Sequence, residues 1–133
     1  MKTIVISLAI IVLGTVMVYA ALFSSHLQKP RSMIRNDILR YTPIGISMDE
    51  VLKAIESKKR WEVERISYDR GYIDYDNVVP GWRTSEATGY SVVGEKSITV
   101  YLGRRMLFWN MEASWGFDVD GKLIEVYIRE TMV

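Results

Sequence analysis

The chain has 133 residues, of which 49% are apolar and 25% are charged, a balance typical of folded proteins and not of disordered ones. Its 17 lysines and arginines nearly equal its 16 aspartates and glutamates, so it lacks the basic excess that nucleic-acid binding requires. The absence of cysteine excludes disulfide bonds, thiolate metal sites and a cysteine nucleophile.

The N-terminal segment contains a run of 21 residues without a charge, residues 3–23. About 20 apolar residues in a helix match the roughly 30 Å hydrocarbon core of a bilayer, which predicts a transmembrane anchor. Lys2 before the run, and Val18, Tyr19 and Ala20 before Ala21, also fit a secretory signal peptide cleaved after Ala20. We therefore assign residues 1–23 to a transmembrane anchor or a signal peptide, with the membrane as a partner if the run is not cleaved.

The charges around the run give conflicting indications of orientation. Lys29, Arg31, Arg35 and Arg40 come after it, which favours a cytoplasmic domain under the positive-inside rule. The arrangement typical of a signal peptide favours export of the C-terminal domain. We expect a single-pass membrane protein with an extracytoplasmic C-terminal domain, or a secreted protein after cleavage.

Residues 24–31 are polar, include Pro30 and are interpreted as a linker, and residues 32–133 suffice for one domain. Ser32 is expected to cap a first helix with Met33, Ile34 and Ile38 on one face. Ser47 and Glu50 form a capping-box pattern at the start of a second helix. The apolar stripe of that helix is expected to comprise Met48, Val51, Leu52 and Ile55.

From Trp61 onwards, apolar residues alternate as they do in strands. We predict a strand from Trp61 with a bulge near Arg65, a short strand over 72–75, a loop with a weak hairpin over 76–95, and a strand over 96–102. A long strand to Phe117 and a last strand over 122–132 complete the chain. Their predicted core residues are Leu107, Trp109, Met111, Ala113, Trp115 and Phe117 on the first, and Ile124, Val126 and Ile128 on the second.

The predicted fold class is α+β, with two short helices packed on an antiparallel sheet of three to four strands after the N-terminal helix.

Two segments give this chain a resemblance to a known superfamily: residues 43–51, PIGISMDEV, and residues 115–124, WGFDVDGKLI. They resemble the small two-helix, three-strand domains of the outer-membrane-assembly lipoproteins and of the β-lactamase-inhibitor proteins. The resemblance implies an extracytoplasmic module that binds other proteins and catalyses no reaction. The chain lacks the lipid-attachment cysteine of the lipoproteins.

Several polar groups are candidates for chemistry, and each has a simpler structural explanation. Asp118 and Asp120 resemble part of a calcium loop, but its twelfth position would be Tyr127, so a hairpin turn is favoured. His26, the only histidine, lies in the linker, away from any catalytic partner. Pairs such as Glu62 with Glu64 and Asp74 with Asp76 are expected on an exposed strand face and in a loop. We predict no enzyme activity, no metal and no cofactor.

Four aromatic residues lie in or beside the predicted loop, which carries glycine, serine and threonine: Tyr72, Tyr75, Trp82 and Tyr90. Rigid aromatic side chains beside adaptable polar ones are typical of binding surfaces, so these four are candidate partner-binding residues. The alternative is that the rings pack over one end of the sheet. Two groups of cations, Arg104 with Arg105 and residues 58–60, are candidates for a basic patch, with solvated turns as the alternative.

These features predict a non-enzymatic bacterial cell-envelope protein, membrane-tethered or secreted, with a protein partner. The alternative function is that of an inhibitor or immunity-type protein that blocks an enzyme.

Overall fold

The structure is a computed structural model that describes residues 2–23, 26–76, 83–84 and 89–132, with side chains described for residues 2–17, 27–76 and 89–132. The helices are α1 (Lys2–Phe23), α2 (Arg31–Tyr41) and α3 (Met48–Glu56), and His26–Gln28 form a single 3-10 turn. The strands are β1 (Glu62–Ser67), β2 (Tyr72–Asp74), β3 (Arg83–Thr84), β4 (Ser91–Val93), β5 (Lys96–Met106), β6 (Trp109–Phe117) and β7 (Leu123–Met132).

Helix α1 contains the uncharged run, and its apolar side chains are exposed as far as Met17. Over the residues that the structure describes, no helix is both long and apolar enough to cross a membrane. The assignment of residues 1–23 to an anchor or a signal peptide stays a prediction.

The two short helices begin in different ways. Helix α3 has the predicted capping box, because the Ser47 hydroxyl accepts from the Glu50 amide and the Glu50 carboxylate accepts from the Ser47 amide. The predicted Ser32 cap of α2 is wrong: that helix begins at Arg31, after Pro30, without a side-chain cap. The fixed φ of proline suits a helix start, and Ser32 therefore lies inside the first turn.

A four-stranded antiparallel sheet in the order β1-β5-β6-β7 forms the centre of the domain. Helices α2 and α3 cover one of its faces, which confirms the α+β class with helices on one side. The core between them contains Ile34 and Ile38 from α2, Met48, Val51 and Ile55 from α3, and side chains that alternate along three strands. These strand residues are Ile98, Val100, Leu102, Met111, Ala113, Trp115, Phe117, Leu123, Val126 and Ile128.

A second sheet, in the order β2-β4-β3, packs beside one end of the first. Its strand β2 is the short strand predicted over 72–75, whereas β3 and β4 lie in the segment predicted as a loop with a weak hairpin. The attachment of this sheet depends on close backbone contact. At Gly94, with φ +83°, an added Cβ would lie 2.7 Å from the Phe117 carbonyl oxygen. Only glycine fits such a position without displacement of the backbone.

Three predictions about which side chains reach the core are corrected by the structure. Leu107 and Trp109, predicted in the core, are 77% and 38% exposed, because Leu107 lies in the turn between β5 and β6 and Trp109 begins β6 at that same end of the hairpin. The β5–β6 ladder shifts register between Tyr101 and Gly103 and again between Arg104 and Met106, but both extra residues belong to β5, so the alternation of β6 is unchanged. A further shift at Gly116 and Phe117 makes Leu123 a core residue and leaves Ile124 exposed. The predicted bulge near Arg65 is confirmed.

One prediction for helix α2 is also corrected: Met33 is exposed, whereas Ile34 and Ile38 are buried as predicted. Conversely, Leu27 from the predicted linker is buried in the core cluster, and Gln28 donates from its side chain to the Arg105 carbonyl. The segment after α1 is thus fastened to strand β5.

Candidate functional site

The face of the main sheet opposite the helices is polar, and we call it the open face. Its side chains alternate with those of the core and come from three strands: Ser97 and Thr99 on β5, Glu112 and Ser114 on β6, Tyr127 and Arg129 on β7. Together with residues of β1, β2 and the turn between them, they line a groove of about 680 Å³. A groove of this size can receive side chains of a partner or a small polar ligand.

The serine and threonine hydroxyls along the floor of the groove are hydrogen-bonded to one another or to the backbone. Thr99 Oγ1 and Ser114 Oγ are 3.1 Å apart, and the Ser97 hydroxyl donates to the Arg70 carbonyl at 2.9 Å. These serine and threonine hydroxyls are therefore already engaged in hydrogen bonds, and the floor of the groove is a hydrogen-bonding surface.

Opposite charges meet at the centre of the open face. Glu112 and Arg129 are register partners, and the Arg129 guanidinium lies 3.9 Å from the centre of the Tyr75 ring. Burial raises the pKa of Glu112 to about 6, with further contributions from the hydrogen bond and charge of Glu64. Glu64 is exposed, as predicted for the strand face that it shares with Glu62, and it lies at the rim of the groove beside Glu112.

Two of the four predicted partner-binding residues come together at the end of the groove. The ring centroids of Tyr75 and Tyr90 are 5.4 Å apart, and the side chains are 37% and 39% exposed. Half-exposed tyrosines are well suited to protein contacts, because they bury a large area and lose little conformational entropy. Trp82, also predicted, lies outside the described residues.

Tyr72, the fourth predicted residue, is buried and faces inwards. Its ring stacks on that of Tyr127, with centroids 5.8 Å apart and planes within 6°. Within the described part of the chain, neither hydroxyl has a hydrogen-bond partner. Burial, with added effects from nearby carboxylates, raises the pKa of both phenols. Tyr72 therefore joins the second, smaller sheet to the main sheet. The site residues that the sequence pattern did not predict are Glu112, Tyr127 and Arg129.

The other chemical candidates have structural roles. The Asp118 carboxylate accepts from the amides of Asp120 and Lys122, at 3.0 and 2.8 Å, as expected for a hairpin turn. In the part of the chain that the structure describes, no group of three or more metal-ligating side chains comes together.

The predicted basic patch divides into two parts. Lys58, Lys59 and Arg60 line a separate groove of about 440 Å³ together with Leu27 and Leu102. Arg105 instead forms an ion pair with Glu130, and Arg104 is exposed.

Comparison of the chain with protein-family models, with curated proteins and with solved structures finds no match. The resemblance to the lipoprotein and inhibitor domains therefore stays a prediction.

Proposed function

We propose that this chain is a non-enzymatic cell-envelope protein of a bacterium that holds its α+β domain at a membrane and binds another protein with the open face. The membrane address is supported by the 21 uncharged residues of the run, the helical backbone of α1 and its exposed apolar side chains. Secretion after cleavage following Ala20 is the alternative address.

The observation that carries the binding proposal is the contrast between the two faces of the main sheet. The helices cover one face, whereas the other forms a groove with hydroxyls and both signs of charge; Tyr75 lines this groove, and its ring contacts that of Tyr90. Hot spots of protein interfaces are enriched in tyrosine and arginine, and here Arg129 and Tyr75 are already in contact. The Arg129 guanidinium is thus held in place before a partner arrives, which lowers the entropic cost of binding.

A binding role is favoured over catalysis by the chemistry of the groove. Glu112 and Glu64 are a carboxylate pair, but the hydroxyls near them are engaged with each other or with the backbone. An acid–base pair without a nucleophile or electrophilic group in place is insufficient for a reaction class.

Site-specific photocrosslinking in native cells tests the binding proposal. The full chain would carry a photoreactive amino acid in place of Tyr90, and the expected result is one dominant protein adduct. The matched control places the same amino acid at Tyr41, which is 58% exposed at the end of α2, on the side of the sheet that the helices cover. Arg129→Gln in the same chain is expected to weaken the Tyr90 adduct several-fold, because it removes the cation over Tyr75.

Equal adducts from positions 41 and 90, or none from position 90, would contradict the proposal. If the captured protein is an enzyme whose activity falls on binding, the inhibitor or immunity-type alternative is the correct one.

A further inference from the structure

The hairpin between β5 and β6 ends in an apolar tip that lies outside the core cluster. The tip comprises Met106, Leu107, Phe108 and Trp109, which are 58%, 77%, 68% and 38% exposed. Met132, the register partner of Trp109, extends the same surface at 72% exposure. Contiguous exposed apolar side chains of this kind mark a surface that is covered in the functional state.

The base of this hairpin is attached to the segment that comes after the uncharged run. Gln28 donates to the carbonyl of Arg105, one residue before the tip. Leu27 is buried against Gly103, where an added Cβ would lie 3.0 Å from the leucine Cδ1. The 3-10 turn therefore fixes the chain to the hairpin just below its apolar end.

Chain length places the end of the uncharged run close to this point. Only four Cα–Cα steps separate Phe23 from Leu27, so the two Cα atoms are at most roughly 15 Å apart. If residues 3–23 lie in a bilayer, the domain is held with the base of the hairpin within this distance of the membrane surface.

The surroundings of the hairpin are positively charged. Lys58, Lys59 and Arg60 line the groove that Leu27 and Leu102 share, and Arg104 is exposed on the hairpin itself. Cations beside a membrane attract anionic lipid headgroups, and tryptophan is enriched at the membrane–water interface. The basic residues and the exposed tryptophan therefore favour contact with a lipid surface over exposure to water.

We propose that the apolar tip inserts into the interfacial layer of the membrane that holds the N-terminal run, as a second contact with the lipid. This inference rests on the membrane anchoring of the proposed function. The occupant is the bilayer itself, and a second copy of the chain or a partner protein on the tip would be a different outcome of the test.

The absence of cysteine allows a direct test with single-cysteine variants of the full chain. Leu107→Cys would carry an environment-sensitive fluorophore in vesicles of phosphatidylcholine and phosphatidylglycerol that contain spin-labelled acyl chains. The control is Val119→Cys, which is 70% exposed in the turn at the other end of β6, roughly 27 Å away along the strand. We expect lipid-borne quenching of the Leu107 probe to exceed that of the Val119 probe at least about twofold, because an interfacial segment lies within reach of the acyl chains.

The outcomes separate this inference from the anchor on which it rests. If the chain floats with the vesicles but both probes remain open to a water-soluble quencher, the tip does not insert, and the anchor stands. If the Leu107 probe is shielded from water but not quenched by the lipid, a protein covers the tip and the inference is wrong. If the chain does not float with the vesicles, both the anchor and the insertion are overturned.

Discussion

The indole of Trp115, completely buried at the centre of the sheet, has one hydrogen-bond partner in the helical layer. Its N–H donates to Thr42 Oγ1 at 3.0 Å, and the threonine hydroxyl donates in turn to the Ile38 carbonyl. Thr42→Val keeps the shape of the side chain but leaves the indole N–H without an acceptor. We expect a loss of about 1–3 kcal/mol in the free energy of unfolding, the cost of an unpaired buried donor.

Urea unfolding of the detergent-solubilised chain, followed by near-ultraviolet circular dichroism, measures this loss. Thr131→Val, at a half-exposed position near the end of β7, is the control and is expected to change stability by less than about 0.5 kcal/mol. Equal stability of the two variants would show that the buried hydrogen bond contributes nothing.

Glu112 makes stability depend on pH in a defined direction. Its pKa rises from 4.5 to about 6 on folding, so the folded state binds the proton more tightly. The resulting stabilisation is fully present below about pH 4.5 and is lost as the pH rises through about 6. Glu112→Gln keeps a neutral side chain at every pH. We expect the variant to match the original chain at pH 4 and to exceed it by about 1 kcal/mol at pH 7.5, after allowance for solvent screening.

Urea midpoints at the two pH values measure this difference. Glu56→Gln removes the same charge from the exposed end of α3 and is the control, with a small change that is the same at both pH values. A Glu112→Gln variant that is less stable at pH 7.5 would reverse the sign and contradict this account of the carboxylate pair.

At the scale of elements, the junction between the two sheets depends on Gly94. Both Gly94 and Gly45 have positive φ, +83° and +96°, but an added Cβ at Gly45 meets nothing within 4 Å. Alanine at Gly45 is therefore expected to cost only the backbone strain, about 1 kcal/mol. Alanine at Gly94 adds a clash with the backbone of Phe117, and we expect a cost larger by at least about 1–3 kcal/mol.

Thermal unfolding of the two alanine variants under the same conditions checks this comparison. Equal melting temperatures would mean that the small sheet moves aside without cost, and that it is not firmly joined to the main sheet.

The elements that the sequence predicts well are those whose determinants are local. The capping box of α3 depends on residues three apart, and the structure confirms it. The core face of β6 follows from simple alternation for Met111, Ala113, Trp115 and Phe117. The core positions predicted for Leu107 and Trp109 are wrong because these residues lie at the turn end of the β5–β6 hairpin, outside the core cluster, and the extent of that cluster depends on the packing of distant residues.

In the candidate site, too, features with local determinants are predicted and features that depend on the pairing of distant strands are not. The composition of their loop identifies Tyr75 and Tyr90, and they are in contact at the end of the groove. Tyr72 shares that composition but faces inwards, because it begins a strand whose alternate side chains are buried. Glu112, Tyr127 and Arg129 escape sequence-based reasoning, since only the pairing of β6 with β7 places them on one face beside Tyr75.

At the scale of the whole molecule, the domain has two distinct ends. The apolar tip lies at the end of the main sheet to which the segment after α1 is attached. The turn that contains Val119 lies at the opposite end, and the open face runs along the sheet between the two. In a domain held by the tip end, the strands of the main sheet would run away from the membrane surface. The open face would then point along that surface, where a partner in the same compartment can reach it.

The most direct test of a membrane-held domain is intact-mass analysis of the protein from fractionated native cells, read together with its compartment. We predict a species that retains residues 2–23 in the membrane fraction. A species that begins at Ala21 in the soluble exported fraction would contradict tethering and identify a secreted binding protein.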